Sequence, residues 1–409
     1  MRIAIGAGLI ALAAAACGDR RVASELRSAE WDSAGIRIVE NARPTDGSRL
    51  GWRVDSVPSV SIGKLEGEDP YLLHEVRDAM TLFDGRIVVA NRGSHELRVF
   101  DAHGVHLATW GGEGEGPGEF NSLVAVTDWQ GDSLIAWYSQ GDRLSVFDLD
   151  GNFGRTMIPG DLRNSVEEAS PGGAILAFGP GDDEFALRDG LTRDERRYEL
   201  LDAEGTPVAS LGIHRGSEYH MSGSGDVYRM MTIPFTRSIH TTVWAGRLVV
   251  APNEHYEVRA HHPAGTLGLI VRREHSPVAP TSAHMEAYIE RWVASRPPAE
   301  QAERRRELRE DFAEVPMAET FPAFAQVAAD APGHLWVREY DLPGEERANP
   351  LWTVFDPDGR VLGFVETPNG LRVHEIGEDH ILGRATDDFG VEYVQVWRLN
   401  RSGARRQGS

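Results

Sequence analysis

The sequence contains one cysteine, Cys17, so no disulfide can form within the chain. No cysteine-based metal site or catalytic thiol is available either. Positive charge is also scarce: 42 Lys and Arg stand against 63 Asp and Glu, a formal charge of −21. Such a field repels phosphate backbones and argues against a nucleic-acid partner; most of the acidity reads as solvated surface. Catalytic signatures are missing as well. There is no His-Glu-x-x-His and no Gly-x-Ser-x-Gly elbow. The glycine-rich stretch Gly111–Phe120 lacks the Lys-Ser/Thr ending of a phosphate loop, and its three glutamates would repel phosphate. His103 and His106 flank a turn, while His261 and His262 are adjacent and would point opposite ways on a strand. All four read as surface histidines, and no catalytic residue and no metal ligand is assigned.

What the chain has is a repeat. Asp84-Gly85-Arg86-Ile87-Val88-Val89-Ala90 is a turn followed by a β-branched apolar run, and Glu96–Phe100 and Leu107–Gly111 follow in the same style. The turn-plus-strand unit returns at Asp132-Ser133-Leu134, Gly173-Ala174-Ile175, Gly246-Arg247-Leu248, Gly333-His334-Leu335 and Asp379-His380-Ile381. A repeat with a period of about 40–50 residues is the signature of a propeller. A second element recurs with it: Phe100-Asp101-Ala102-His103-Gly104 is echoed at Phe147–Gly151, Leu201–Gly205 and Phe355–Gly359, and more weakly at His261–Gly265. Asp capping a β-turn, with Gly supplying positive φ, accounts for this. Asp-x-Asp-Gly can also open a calcium loop, but neither Asp148–Gly151 nor Asp356–Gly359 continues with the remaining EF-hand ligands, so the turn is preferred.

The ends of the repeat array are incomplete in complementary ways. Residues 35–40 and 52–62 read as outer strands without a blade of their own, because Ser61–Tyr71 parallels Thr109–Phe120. The last repeat, Asp379–Leu399, stops after its third strand. An N-terminal segment that supplies the missing fourth strand would close the ring and remove an exposed sheet edge. Two insertions interrupt the array. Arg215–Thr236 is one, and within it Met221–Met231 reads as a mobile binding loop or a loosely packed insertion. Thr281–His284 opens a helix with apolar residues at Met285, Tyr288, Ile289 and Trp292, stopped by Pro297-Pro298, and a charged run from Ala299 to Phe312 reads as a second, solvated helix. Such a pair would cover one face of the ring. Forty-four Gly and 22 Pro suit the turns, and 10 Trp and 14 Phe suit packing between blades.

Residues 1–16 carry one positive charge before an apolar stretch too short to span a bilayer, ending in small residues: the layout of a signal peptide. Leu12–Gly18 resembles the bacterial lipoprotein signal, in which the cysteine becomes the acylated N-terminus. Ala14 stands where that pattern places a large residue. The resemblance implies lipid attachment at Cys17, anchoring in the membrane through the lipid, and a tether over 17–34. Gly18 in place of the Asp that retains such proteins at the inner membrane implies the outer membrane.

The unit Asp84–Ala90, Leu97–Asp101 and Gly111–Phe120 resembles an NHL-repeat blade, and the whole is similar to bacterial six-bladed β-propeller lipoproteins. The likeness is close at 84–151, fair at 333–364 and weaker in the third, fourth and sixth repeats. The expected architecture is therefore all-β: a six-bladed β-propeller over 35–400, closed by an N-terminal strand, with a helical insertion at about 281–312 and a disordered tail over 401–409. The resemblance implies a binding or scaffolding role in the cell envelope, with a protein, peptide or glycan as ligand. The alternative is a metal-dependent enzyme of lactonase or lyase type. No cofactor is identified. Propellers bind at the mouth of the central channel, so the segments before each turn (77–82, 125–129, 239–244 and 325–329) are the candidate lining, with Asp128, His240 and Asp330 in or beside them.

Overall fold

The repeat becomes a blade because each apolar run has an alternating partner and a turn that delivers it. The computed structural model describes residues 28–138, 143–159, 165–181, 189–224 and 227–401. The lipid site Cys17, the signal peptide, most of the tether and the tail beyond Arg401 lie outside the described residues.

Blade 1 is an antiparallel meander of Val76–Thr81, Ile87–Asn91, Glu96–Phe100 and His106–Gly111. Blade 2 runs from Leu123 to Met157 in the same order, and blade 5 from Gln326 to Glu366. Blade 3 starts at Ser165–Ala169 and is enlarged. Its third and fourth strands, Gly190–Leu201 and Pro207–Ser224, are long, and Val227–Thr232 adds a fifth. The insertion over 215–236, in which 221–231 reads as a binding loop or a loosely packed segment, is thus mostly strand, because its residues extend and pair within the hairpin.

Every interface between neighbouring blades holds its own apolar cluster, and the last of them closes the ring. Phe120 and Phe147 fill the junction of blades 1 and 2, and Trp129 and Trp137 that of 2 and 3. Tyr198 packs with Leu248 between 3 and 4, Phe324 and Phe355 between 4 and 5, and Trp336 and Trp352 between 5 and 6. Val76, Ile87, Leu382 and Ile62 join blade 6 to blade 1. Ile62 comes from the N-terminal strand Val60–Ile62, which pairs antiparallel with blade 6's Glu392–Asn400 and supplies the missing fourth strand. Closure leaves no bare edge at the seam.

The rest of the N-terminal segment behaves differently from its sequence reading. Ile36–Asn41 does not belong to the seam; it adds parallel to Leu267–Arg273 on the outer edge of blade 4. Ser28–Ser33, which the reading places in the tether, folds back on it as a hairpin. The chain then exchanges backbone hydrogen bonds with Phe364 of blade 5 before reaching blade 6, so residues 36–62 form a belt across three blades. Asn41 rivets the belt: its amide donates to Arg272 O and Gly359 O, both at 3.0 Å, and its Oδ1 accepts from Val361 N at 2.9 Å.

The Asp-Gly turns are capped as expected. Asp148 Oδ1 accepts from Asp150 N and Asn152 N, and Asp356 Oδ1 from Asp358 N and Arg360 N. These oxygens serve the turn. Gly151 is needed for a further reason, since at φ +84° a Cβ there would lie 2.1 Å from Trp110 Nε1.

The inner strands Val76–Thr81, Leu123–Trp129, Ser165–Ala169, Ile239–Trp244, Gln326–Ala329 and Arg372–Ile376 all start at one end of the ring, called here the upper end. The connections from blade to blade cross there. The helical pair, α1 (Ser282–Ala294) and α2 (Gln301–Asp311), connects blades 4 and 5 and so belongs to this end. Thr281 and His284 cap α1 reciprocally, Ile289, Val293 and Leu308 pack the helices together, and Arg305 and Arg309 pair with Glu290 and Glu286.

Candidate functional site

Two arrangements on the ring carry chemistry: the inner strands and the roof over their upper end. An innermost strand has one edge without a strand partner, so its N–H groups need other acceptors. Carboxylates from the preceding blade meet part of that need. Glu392 Oε2 accepts from Val76 N at 2.7 Å, Glu375 Oε2 from Thr81 N at 2.6 Å, and Asp78 Oδ2 from Val126 N at 3.2 Å. Glu168 follows the same direction, accepting from Thr241 Oγ1 of blade 4 at 2.8 Å. The result is an acidic lining. Burial raises the carboxyl of Glu168 to about 8, against the Thr241 hydrogen bond and reinforced by Glu167 and Asp78. Burial also raises Glu167, which Arg196 partly offsets, and Asp128, which feels Glu375 as well.

The sequence-derived segments before each turn are indeed the innermost strands, but the three residues singled out there differ in fate. Asp128 joins the acidic lining. His240 is a packing residue: its Nε2 lies 3.2 Å from Asn253 Nδ2, its ring lies against Phe324, and burial lowers it to about 4. Asp330, just past the inner strand of blade 5, is buried, with its carboxylate taken by His334 Nδ1, Trp336 Nε1 and Arg401 at 2.7–2.9 Å. Structure therefore separates the three rather than gathering them. His261, read as a surface histidine, is buried, with its Nδ1 unpartnered among the described residues. Among the described residues, no group of three or more His, Cys, Asp or Glu is placed to hold a metal ion.

The reading missed Asp78, Glu168, His374 and Glu375. A signal for them exists in the tripeptides Val76-Arg77-Asp78, Val126-Thr127-Asp128, Val166-Glu167-Glu168 and Val373-His374-Glu375. It is blurred because bulges in blades 1, 3 and 6 shift the register, so the four acids stand opposite Ala90, Leu134, Leu176 and Leu382 and not at one depth.

Above these strands, three insertions meet: α1 with its connection to blade 5, the extended hairpin of blade 3, and the loop 339–350 of blade 5. They share an apolar cluster of their own that includes Ile233, Phe235, Val315 and Phe321, with Tyr288 and Tyr340 packed against it. Tyr288 meets Phe235 edge-on at 5.3 Å, and Arg229 of the hairpin pairs with Asp311 of α2 at 2.8 Å. A separate core means the roof is built, not draped. Between roof and ring lies a cavity of about 410 Å³, lined by Phe235, Tyr288, Arg291, Arg338, Tyr340 and Asp341 among others.

Two larger hollows, of about 860 and 510 Å³, lie along the N-terminal belt on the outer wall. Size favours them, but Arg49 pairs with Glu366 in the first and Arg272 with Glu257 and Arg273 with Glu339 in the second, and Arg53 and Glu274, unpaired among the described residues, are exposed to solvent. In the roofed cavity Arg338 has no ion pair among the described residues, and its Nε is buried without a hydrogen-bond partner. Burial pushes Arg338 below the usual guanidinium range, with Asp341 opposing and Arg291 adding to the shift. The roofed cavity is the candidate site on that ground.

Comparison with known proteins agrees with the architecture. The family DUF5128, described as a 6-bladed beta-propeller, matches residues 52–166, from the closing strand through blade 2. No curated protein matches the chain. A solved exported protein from Bacteroides fragilis is 11% identical, with a TM-score of 0.47, covering 89% of this chain and 99% of its own. A member of the DUF4221 family from Bacteroides vulgatus is 9% identical, with a TM-score of 0.48, covering 85% and 98%. A gluconolactonase from Xanthomonas campestris is 14% identical, with a TM-score of 0.36, covering 85% and 91%. The strand order and the six inter-blade cores already establish the fold: the chain is a six-bladed β-propeller closed by its N-terminal strand.

Proposed function

We propose that this propeller is a binding module of the bacterial cell envelope, acylated at Cys17 and held at the outer membrane, that takes its ligand beneath the roof at the upper end of the ring. The observation that carries the reading is the roof itself. Three separate insertions converge on one end of the ring, share a core, and leave a cavity in which Arg338 and Arg291 have no ion pair among the described residues. A propeller needs none of this to fold, whereas a binding site needs walls and unpaired polar groups. Export and the anchor are supported by the N-terminal sequence.

A second reading, a propeller enzyme, is favoured by Glu168, whose carboxyl stays protonated near neutral pH and whose second oxygen has no hydrogen bond among the described residues. Its metal-dependent form has no ligand set among the described residues.

The test is photocrosslinking in the intact envelope. A photoreactive residue replacing Glu346, which lines the cavity and is exposed, is expected to yield a specific adduct. The same residue replacing Phe83, 82% exposed at the lower turns, is expected to yield none. Adducts from position 83 alone would reject the site. A chemically altered ligand in the adduct at position 346 would favour the enzyme.

A further inference from the structure

The polar groups of the roofed cavity define the ligand further. Arg338 ends the second strand of blade 5 beside Gln326, at the upper end of an innermost strand. Its guanidinium is held between ring and roof with no carboxylate of its own among the described residues. Asp341, which is near it, is engaged by Arg347. Arg291, on the exposed side of α1, faces the same cavity and is close enough for the two cations to repel. Glu346, the other acidic liner, accepts from Gly344 N at 3.0 Å. Three arginines thus face two carboxylates, leaving one cation uncompensated. Two like charges aimed into one partly enclosed space, one of them desolvated, is an unfavourable arrangement for an empty site and a favourable one for an anion.

The walls narrow the choice. Phe235, Tyr288 and Tyr340 line the cavity while packing on one another and on Phe321, and neither phenol has a hydrogen-bond partner among the described residues. Aromatic faces with phenol, amide and carboxylate groups at their rim suit a ring carrying hydroxyl groups. Asn369 stands at the rim as a further partner, while Asp341 is held by Arg347. A single excess cation matches a monoanion better than a phosphate dianion, which the two acidic liners would repel.

We infer that the roofed cavity binds a ring-bearing monocarboxylate, an acidic sugar of the uronate type, with Arg338 and Arg291 holding the carboxylate and Tyr288 and Tyr340 flanking the ring. The inference rests on the roofed cavity being the binding site, and it adds the ligand's charge and shape. Guanidinium–carboxylate hydrogen bonds of this kind are charge-assisted, and the pair can close a fork on one carboxylate.

The experiment is calorimetric titration of the full chain, purified in detergent, with glucuronate, galacturonate, glucose and glucose 6-phosphate. Saturable binding of at least one uronate is expected, weakened by added salt, with glucose much weaker. Arg338→Gln and Arg291→Gln are each expected to weaken that uronate by about tenfold or more. Arg291→Gln lies on an exposed helix face and keeps the test valid if Arg338→Gln disturbs folding. No uronate binding at millimolar concentration would overturn the inference, as would unchanged affinity in Arg291→Gln. Glucose 6-phosphate binding more tightly than either uronate would assign the cavity to a dianion and overturn it too. Glucose binding as well as the uronates would reject the anion while leaving the roofed cavity as the binding site. Failure of the crosslink at position 346, by contrast, would reject the site itself.

Discussion

Replacing Glu339 with Ala is expected to destabilise the propeller by about 3–5 kcal/mol, because it leaves a buried cation without its partner. Glu339 lies at the interface of blades 4 and 5. Its Oε1 accepts from Tyr256 Oη at 3.0 Å, and from Arg273 Nη1 and Thr353 Oγ1, each at 2.7 Å. Its Oε2 accepts from Arg273 Nη2 at 3.0 Å. Arg273 is 5% exposed and its guanidinium lies 3.8 Å from the centre of the Tyr256 ring. Once the carboxylate is gone, the Thr353 hydroxyl, 2.8 Å from Nη1, and the Tyr256 ring are left beside the guanidinium, and neither carries a compensating charge. Replacing both members by Met removes the charge as well as its partner. The double variant Arg273→Met, Glu339→Met is therefore expected to be clearly more stable than Glu339→Ala alone. Denaturant unfolding of the three proteins checks this. A Glu339→Ala variant within about 1 kcal/mol of the parent would show that the network does not hold the blades together.

The second large effect is a pH dependence assigned to one residue. Glu168 is raised by burial from 4.5 to about 8, so the folded protein holds a proton that the unfolded chain releases. The sign follows directly. Below pH 4.5 the stabilisation is fully present; it falls as pH rises through the window from 4.5 to 8 and is lost above it. Burying the ionised form then costs the fold up to about 5 kcal/mol at alkaline pH, less to the extent that channel water reaches the carboxyl. Glu168→Gln keeps an oxygen for the Thr241 hydroxyl and cannot ionise. The variant is expected to match the parent near pH 4.5 and to exceed it in stability by several kcal/mol above pH 8. Taking the difference between the two proteins cancels Asp128, which titrates in the same direction, whereas Glu167, coupled to Glu168, contributes to it. A constant difference across the window would mean that Glu168 ionises normally.

Much of the ring was legible because its signals are local. A turn such as Asp148–Gly151 and the alternating run after it depend on residues within one hairpin, and they fold as read. The closing strand was legible for a global reason: Ser61–Tyr71 looks like an outer strand without a blade, and the last repeat lacks one. Ile36–Asn41 was misplaced because parallel addition to the outer edge of blade 4 uses no turn and leaves no local mark. The candidate site was the least legible part. Arg338 reads as the end of an ordinary strand, and Arg291 as one polar position among the apolar residues of the first helix. Only the convergence of three insertions, tens of residues apart, puts them in one cavity. The acids of the inner strands left a pattern, but bulges at Arg77, Glu167 and His374 hid it.

The central claim is that ligand enters beneath the roof and not along the outer wall. Amide hydrogen exchange of the full chain, with and without solubilised envelope as the source of ligand, tests it most directly. The account predicts slower exchange on ligand addition in α1, residues 282–294, and in the loop 339–350, with the lower turns unchanged. Slowing confined to the lower turns around Asp84 and Asp132, or to the outer-wall groove formed by residues 49–56 and 364–369, would contradict it.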